Sequence, residues 1–262
     1  MKKYFIVSDV HGFYDELMKG LEDSGFDSSN PDHIFVSLGD LFDRGPKSYE
    51  CLQFVNNLPD DRKILIWGNH EECLAEAISR RRFKSHDSHN KTDKTCWEFY
   101  KAVHPDATID SVKEEEVLAW LENWDELKEY QSSLELYHII DNNIFVHGWV
   151  PYWCTSLEDI SRTDLADWYD ACWSDGSMYC CKWNRKLHVT HKKDSEIVTV
   201  FCGHVHSFIP NYRYHNSGEI EAVDDELNLD KIDNSPFIDT GIVNLDSFTS
   251  ESKIVNVYIL NS

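Results

Sequence analysis

The chain has 262 residues, of which 47 are acidic and 25 are basic, and its formal net charge is -22. A surface of this charge repels the phosphate backbone of nucleic acids and anionic membranes, so the composition argues against nucleic-acid and membrane partners. Hydrophobic residues make up 41% of the chain, and its 9 Trp, 12 Tyr and 13 Phe argue against disorder. The length suits one large α/β domain over residues 1–262.

Two features of the sequence predict a cytoplasmic protein. The first apolar run ends at Ser8 and Asp9, too early for a signal peptide, and no stretch is long enough to span a membrane. The 8 Cys residues form no CxxC pair, so no zinc-finger spacing is present. Because neither a signal peptide nor a membrane span is found, we expect a cytosolic protein with reduced thiols. Cys51 and Cys202 lie in apolar runs and should be core residues.

Apolar runs and helical patterns alternate from the start of the chain, which predicts an α/β sheet covered by helices. Apolar residues at helical spacing follow the first two strand patterns. The strong strand patterns are Tyr4–Val7, Ile34–Leu38, Ile64–Trp67, Ile144–Val146 and Val198–Cys202. The weaker ones are Leu136–Ile140, Phe237–Ile238 and Val255–Leu260.

The stretch from about residue 80 to residue 131 is predicted to be a helical insertion on the main sheet. It is polar up to Thr95 and helical afterwards, and Ser111 followed by Glu114 is the pattern of a capping box. The acidic, polar segment Pro210–Asn234 is predicted to be a surface loop or hairpin.

Each of the five strong strand patterns is directly followed by residues that can bind a metal. They are Asp9 and His11, then Asp40 and Asp43, which Arg44 follows, then Asn69 and His70, then His147, and finally His204 and His206. In open α/β sheets ligands bind at the carboxyl ends of the strands, so these side chains should share one crevice. Oxygen and nitrogen donors without a thiolate suit Mn²⁺, Fe or Zn²⁺ better than Ca²⁺. A carboxylate such as Asp40 can bridge two ions that share an attacking hydroxide.

Each motif alone is weak evidence for a metal site, whereas the ordered set of motifs is strong evidence. A lone Asp-x-His or Gly-Asn-His is common, and Asp43 with Arg44 could form only a salt bridge. The GDLFDRG segment is harder to explain as core or surface, since two Asp, an Arg and two Gly fall within seven positions. The joint pattern, with each motif after a strand, therefore favours a metal site.

The chain resembles the metallophosphoesterase superfamily and, within it, the phosphoprotein phosphatase family in its bacterial and phage form. The matching segments are SDVHG at 8–12, GDLFDRG at 39–45, GNHE at 68–71, VHGWVP at 146–151, WNR at 183–185, GH at 203–204 and DTG at 239–241. The resemblance implies a metallophosphoesterase-type sandwich of two sheets flanked by helices.

The same resemblance implies a role for each matching residue. The protein would bind two divalent metal ions, with Mn²⁺ preferred and Fe or Zn²⁺ as alternatives. Asp9 and His11 would hold the first ion, and Asp40 would bridge the two ions. The second ion would be held by Asn69, His147 and His204. His206 is a possible further ligand, as in related metallophosphoesterases. The catalytic group would be His70 as general acid, Asp43 orienting it, and Arg44 and Arg185 gripping the phosphate oxygens.

Three functions remain open on the sequence. The resemblance favours hydrolysis of phosphoserine or phosphothreonine in a phosphoprotein or phosphopeptide. A dinucleoside-polyphosphate hydrolase is the alternative, because such enzymes look similar in the first three motifs, although GNHE and WNR favour the phosphatase. A non-catalytic scaffold should have lost ligands or His70, and here all of them are present.

Overall fold

The computed structural model describes residues 1–154, 156–176, 196–215 and 232–262, with the side chains of 212–215 left aside. Within these residues ten strands form two five-stranded sheets. The first sheet has the order β10-β1-β2-β3-β4, and β1 to β4 run parallel while β10 is antiparallel to β1. Its strands are β1 (Lys3–Val7), β2 (His33–Ser37), β3 (Lys63–Ile66), β4 (Leu134–Glu135) and β10 (Tyr258–Asn261).

The second sheet has the order β5-β6-β7-β9-β8, with parallel β6, β7 and β9 at its centre and an antiparallel strand on each edge. Its strands are β5 (His138–Ile140), β6 (Asn143–Phe145), β7 (Thr199–Cys202), β8 (Phe237–Asp239) and β9 (Ile242–Asn244). The chain passes from the first sheet to the second between Glu135 and His138.

Helices follow most of the strands and cover both sheets. In the described residues they are α1 (Tyr14–Asp23), α2 (Ser48–Asn56), α3 (Asn69–Arg80), α4 (Ser85–Asn90), α5 (Thr92–Val103), α6 (Glu114–Leu121), α7 (Asp125–Ser132), α8 (Leu157–Arg162), α9 (Leu165–Cys172), α10 (Phe208–His215) and α11 (Thr249–Ser252). None of the described helices is long and apolar enough to cross a lipid bilayer.

Successive side chains of a strand point to opposite faces of the sheet, and here they enter two different layers of the core. In β1, Ile6 faces a cluster that also contains Phe145 and Phe201 of the second sheet, so this cluster fills the space between the sheets. Phe5 and Val7 face the opposite way, into a cluster formed with the helices that cover the first sheet. A third cluster joins the outer face of the second sheet to α8 and α9. The expected two-sheet α/β architecture with flanking helices is therefore confirmed.

The predicted strands are close to the observed ones, with three differences. The pattern Leu136–Ile140 predicted one strand, but β4 and β5 lie on either side of Leu136 in different sheets. Strand β9 was not predicted; it pairs with β8 across a turn at Thr240 and Gly241, where Gly241 has a φ of 80°. Several ends of predicted strands lie just outside the observed strands, namely Leu38, Trp67, Val146, Val198 and residues 255–257.

Three local predictions differ from the structure. The capping box at Ser111 does not form: α6 begins at Glu114 after Lys113, and Ser111 is instead bonded to Thr108. The segment before Thr95 is already helical, because α4 is held by Asp87, whose carboxylate accepts hydrogen bonds from Arg80 and from the backbone N–H of Lys84. A helical end also replaces part of the predicted loop after Pro210, since α10 runs to His215; residues 216–231 lie outside the described part of the chain.

Candidate active site

The carboxyl ends of the parallel strands place the sequence-predicted residues in one buried crevice. Asp9 and His11 follow β1, Asp40 follows β2, His147 follows β6 and His204 follows β7, while Asn69 is the first residue of α3. Their side chains are largely removed from solvent, since Asp9, His11 and Asp40 are 2–3% exposed and His147 is 1% exposed. This arrangement follows from the sheet order, because β1, β2 and β3 are neighbours and end at the same edge.

The backbone that carries these residues adopts a conformation that L residues avoid. Asp9, His11, Asp40 and His204 all have positive φ values, of 51°, 53°, 55° and 64°. Left-handed non-glycine residues are uncommon and persist where the surrounding structure over-determines them, and they cluster at functional sites. Strain is thus concentrated at the ends of the strands, where it aims the side chains into the crevice.

Close approach of the backbone explains the glycines beside these residues. A Cβ on Gly203 would lie 1.8 Å from Ser8 Oγ and 2.2 Å from Asp9 Oδ2, so only glycine fits there. A Cβ on Gly68 would lie 2.3 Å from Asp40 Oδ1. Both glycines allow the strand ends to come together around the carboxylates.

Asp40 lies at the centre of the crevice and belongs to two groups of possible metal-binding side chains. One group is Asp9, Asp40 and His147, and the other is His11, Asp40 and His70; within each group the donor atoms lie within 4.8 Å of one another. One oxygen of Asp40 is 3.4 Å from His147 Nε2, and the other is 3.8 Å from His11 Nε2. A carboxylate in this position can serve two ions, one on each oxygen.

Two of the histidines are already oriented as metal ligands. His11 Nδ1 lies 3.0 Å from the carbonyl oxygen of Phe42, and His147 Nδ1 lies 2.7 Å from that of Leu38. Each Nδ1–H donates to its carbonyl, which leaves the Nε2 lone pair of both rings directed into the crevice. Backbone carbonyl partners of this kind fix the tautomer and the ring orientation of metal-binding histidines.

Asn69 adds an oxygen donor beside His147 and His204. Its Oδ1 atom lies 2.8 Å from His147 Nε2 and 2.9 Å from His204 Nδ1. The backbone N–H of His204 donates to Asp9 Oδ2 over 3.0 Å, which ties the end of β7 to the end of β1. The side chains expected on the two sides of Asp40 therefore meet in the same crevice.

The electrostatics of the crevice fit a bound divalent cation. Burial, with the negative charge of Asp246 nearby, raises the pKa of Asp9 to about 6, and burial raises the pKa of Asp40 well above its usual value. Burial and the proximity of His147 lower the pKa of His204 to about 3, so that ring is held neutral. Carboxylates and neutral imidazoles are ligands that Mn²⁺, Fe and Zn²⁺ accept. A bound cation would stabilise the ionised form of the two carboxylates, which burial disfavours.

His70 lies beside this crevice and is paired with Asp43. Its Nδ1 is 2.7 Å from Asp43 Oδ2, and its Nε2 is 3.8 Å from Asp40 Oδ2. Burial opposes the charged imidazolium, but the charges of Asp40 and Asp43 and the hydrogen bond to Asp43 outweigh it and raise the pKa of His70. A histidine that keeps its proton and points its Nε2 at the crevice can donate that proton.

The three remaining predicted residues have different outcomes. The exposed Arg44 reaches the crevice, with Nη2 3.2 Å from His70 Nε2. His206 Nδ1 is 2.9 Å from Asp246 Oδ2 and its ring stacks on Phe248. His206 belongs to neither of the two groups of possible metal-binding side chains among the described residues. Arg185 lies outside the described residues, and its role stays a prediction.

Glu71 supports the crevice, a role that the sequence did not assign to it. Its carboxylate accepts hydrogen bonds from the backbone N–H groups of Asp40 and Leu41 at 2.8 and 2.9 Å, from Gly68 at 2.9 Å and from the hydroxyl of Tyr130 at 3.0 Å. It therefore joins the loop after β2 to the start of α3, and holds the backbone that carries Asp40. Its place in GNHE was a signal that it belongs to the site.

Comparison with known proteins agrees with this geometry. Residues 2–208 match the calcineurin-like phosphoesterase family. A segment of the chain is 48% identical over 74 residues to the symmetrical bis(5'-nucleosyl)-tetraphosphatase of Buchnera aphidicola subsp. Baizongia pistaciae, covering 28% of this chain and 25% of the relative. The enzyme of the same description from Psychromonas ingrahamii is 49% identical over 67 residues, covering 26% of this chain and 23% of the relative. The matched segments thus span about a quarter of these relatives.

The fold is also similar to a solved structure. The crystal structure of a point mutant of a cold-active protein tyrosine phosphatase superposes with a TM-score of 0.50 at 18% identity, covering 100% of this chain and 76% of that chain. At this identity the similarity concerns the fold alone. The family match extends over more than half of the chain and includes the strands and loops that carry most of the crevice. The chain therefore belongs to the calcineurin-like phosphoesterase family.

Proposed function

We propose that this phosphoesterase hydrolyses a dinucleoside polyphosphate of the diadenosine tetraphosphate type. The observation that carries the proposal is the 48–49% identity of its segments to symmetrical bis(5'-nucleosyl)-tetraphosphatases. The sequence favoured a phosphoprotein phosphatase and kept this activity as the alternative. The similarity to these curated relatives reverses that order.

The crevice offers the groups that such a hydrolysis requires. Divalent cations bound there would supply positive charge to the phosphoryl oxygens and lower the pKa of a water molecule. We assign them to the residues named from the sequence, which are Asp9, His11, Asp40, Asn69, His147 and His204. Arg44 can donate to phosphate oxygens from the rim, since its guanidinium lies at the mouth of the crevice beside His70. His70 can give its proton to the leaving oxygen while Asp43 holds the ring.

An exposed aromatic side chain supports a substrate that carries a base. Trp173, at the end of α9, is 48% exposed, and its ring centroid is 6.4 Å from that of His204. Its indole N–H donates to Glu72 Oε2 over 2.7 Å, which fixes the plane of the ring. Bases stack on such aromatic platforms, and each stack contributes roughly 1–3 kcal/mol. We assign Trp173 to the nucleoside end of the substrate.

A phosphoserine or phosphothreonine monoester is the second candidate, and the His70–Asp43 pair favours it. A serine or threonine alkoxide is a poor leaving group and gains most from a positioned proton donor. A nucleotide leaving group gains less, because its charge is already stabilised on phosphate oxygens. The pair therefore fits either substrate but is needed more by the monoester.

The test compares both substrates with the Mn²⁺-loaded enzyme. We expect diadenosine tetraphosphate to be cleaved into two molecules of ADP, with a higher kcat/KM than a phosphoserine peptide that lacks aromatic residues. Trp173→Ala should raise KM for diadenosine tetraphosphate by about tenfold and leave the peptide reaction unchanged, whereas Trp173→Phe should recover part of the loss. Leu165→Ala, an exposed apolar residue on the same helix, is the control. A preference for the peptide, with no effect of Trp173→Ala, would overturn the proposal in favour of the monoesterase.

A further inference from the structure

Two threonine hydroxyls from the helical segment 80–131 contact the carboxylate that orients His70. Thr92 Oγ1 donates to Asp43 Oδ2 over 2.7 Å, and Thr95 Oγ1 donates to Asp43 Oδ1 over 2.7 Å. Asp43 is 0% exposed, Thr92 is 0% exposed and Thr95 is 2% exposed, so water does not compete for these bonds. Both threonines lie in a segment that carries no motif of the resembling family.

The two hydroxyls fix the orientation of the carboxylate group. Thr92 and Thr95 are one turn apart on α5 and therefore lie on the same face of that helix. One hydroxyl holds each oxygen of Asp43, so the carboxylate cannot rotate without breaking a buried hydrogen bond. The oxygen that Thr92 holds is also the one bonded to His70 Nδ1. Asp43 accepts in all three contacts, as an ionised carboxylate does.

The helix that supplies the hydroxyls is itself well anchored to the loop of Asp43. Phe99 of α5 packs edge to face on Phe42, with ring centroids 5.2 Å apart, and both rings are buried. Lys91, which precedes Thr92, has a φ of 70° and turns the chain sharply between α4 and α5. The position of Thr92 is thus set by packing and by a strained turn, which is typical of residues that support a site.

We infer that Thr92 and Thr95 are positioning residues of the hydrolytic reaction. They hold Asp43, which fixes the His70 ring through Nδ1 and leaves Nε2 facing the crevice. When Nε2 carries a proton, that proton passes to the leaving oxygen as the bond between this oxygen and phosphorus breaks. The helical segment 80–131 thereby contributes to the chemistry and does more than cover the sheet. The inference rests on His70 being the proton donor and not on which phosphate compound is the natural substrate.

The experiment measures how strongly each variant depends on the leaving group. Wild type, Thr92→Val, Thr95→Val, the double variant and His70→Asn are assayed with phenyl phosphate, whose leaving group needs a proton, and with p-nitrophenyl phosphate, whose leaving group needs it less. We expect each Thr→Val change to lower kcat on phenyl phosphate by about tenfold, the loss expected for one hydrogen bond to a charged group. The loss on p-nitrophenyl phosphate should be several times smaller, and metal content should not change. Thr92→Ser and Thr95→Ser keep the hydroxyl and should recover most of the activity.

Thr163→Val is the matched control, because its hydroxyl donates to the carbonyl of Asp159 in α8 and does not contact Asp43. Equal losses on both aryl phosphates, or no loss at all in the Thr→Val variants, would overturn the inference. If His70→Asn itself shows no dependence on the leaving group, the acid role is wrong and the inference falls with it. None of these outcomes depends on whether diadenosine tetraphosphate is cleaved, so the failure of the proposed function would be seen separately.

Discussion

At the scale of single residues, the motifs predicted the side chains of the crevice but not their supports. Asp40 and His147 could be placed because each follows a strand and carries a donor atom that metals prefer. The contact of Thr95 with Asp43 spans 52 positions of sequence, and that of Tyr130 with Glu71 spans 59. No periodicity or spacing indicates such pairs, because they depend on how a helix packs on a distant loop.

The sequence predicts that Arg185, which lies outside the described residues, grips the phosphate oxygens of the substrate. If it grips the phosphoryl group, as the WNR resemblance implies, Arg185→Ala should raise KM and lower kcat by about tenfold or more, and should weaken inhibition by inorganic phosphate. Arg185→Lys should recover only part of this, since a point charge does not replace the bidentate fork. Steady-state kinetics with and without phosphate measure both effects. Lys186→Ala is the control, and equally mild effects of the two Ala variants would make Arg185 an ordinary surface cation.

At the scale of secondary-structure elements, strand patterns were predictable and element ends were not. Strands β1, β2 and β3 are buried on both faces and read as continuous apolar runs. Strand β9 has only three residues and depends on its pairing with β7 and β8, which the sequence alone does not show. The capping pattern at Ser111 failed because its side chain is satisfied by Thr108, and local bonds of this kind compete with helix capping.

The contact between α2 and α5 leads to a prediction on pH and stability. Glu98 of α5 accepts a hydrogen bond from the backbone N–H of Tyr49 over 2.8 Å at the start of α2. Burial raises the pKa of Glu98 from 4.5 to about 7, although this hydrogen bond opposes the rise. Between these two pH values the folded protein binds more protons at Glu98 than the unfolded chain, so the free energy of unfolding falls as the pH rises through this range.

Glu98→Gln removes this titration while keeping an acceptor oxygen for Tyr49. Relative to wild type, the variant should therefore gain stability between pH 5 and pH 8, and the gain should level off above about pH 7. Urea unfolding of the metal-free proteins at both pH values measures the difference. Glu129→Gln, on the exposed face of α7, is the control. The same stability difference at both pH values would contradict the assigned burial of Glu98.

At the scale of the whole molecule, the alternation of strand and helix patterns predicted an α/β sheet, and the family resemblance implied the second sheet. Five strand ends followed by donors indicated a single crevice, and the parallel strands at the centre of both sheets bring those ends together. The division of the strands between two sheets could not be read from the sequence, since the chain changes sheet within the short apolar pattern Leu136–Ile140. The net charge of -22 is compatible with an anionic substrate, because cations bound in the crevice would invert the local field that such a substrate meets.

Asp40 is the residue that we expect to bind both metal ions at once. Elemental analysis of the Mn²⁺-loaded protein after removal of free metal tests this directly. We predict two ions per chain for wild type and for Asp125→Asn, a change on the surface of α7. For Asp40→Asn we predict fewer than one ion per chain and a loss of activity of at least about 10³-fold, because the shared ligand is gone. One ion or none in the wild-type protein, or two ions retained in Asp40→Asn, would contradict the central claim.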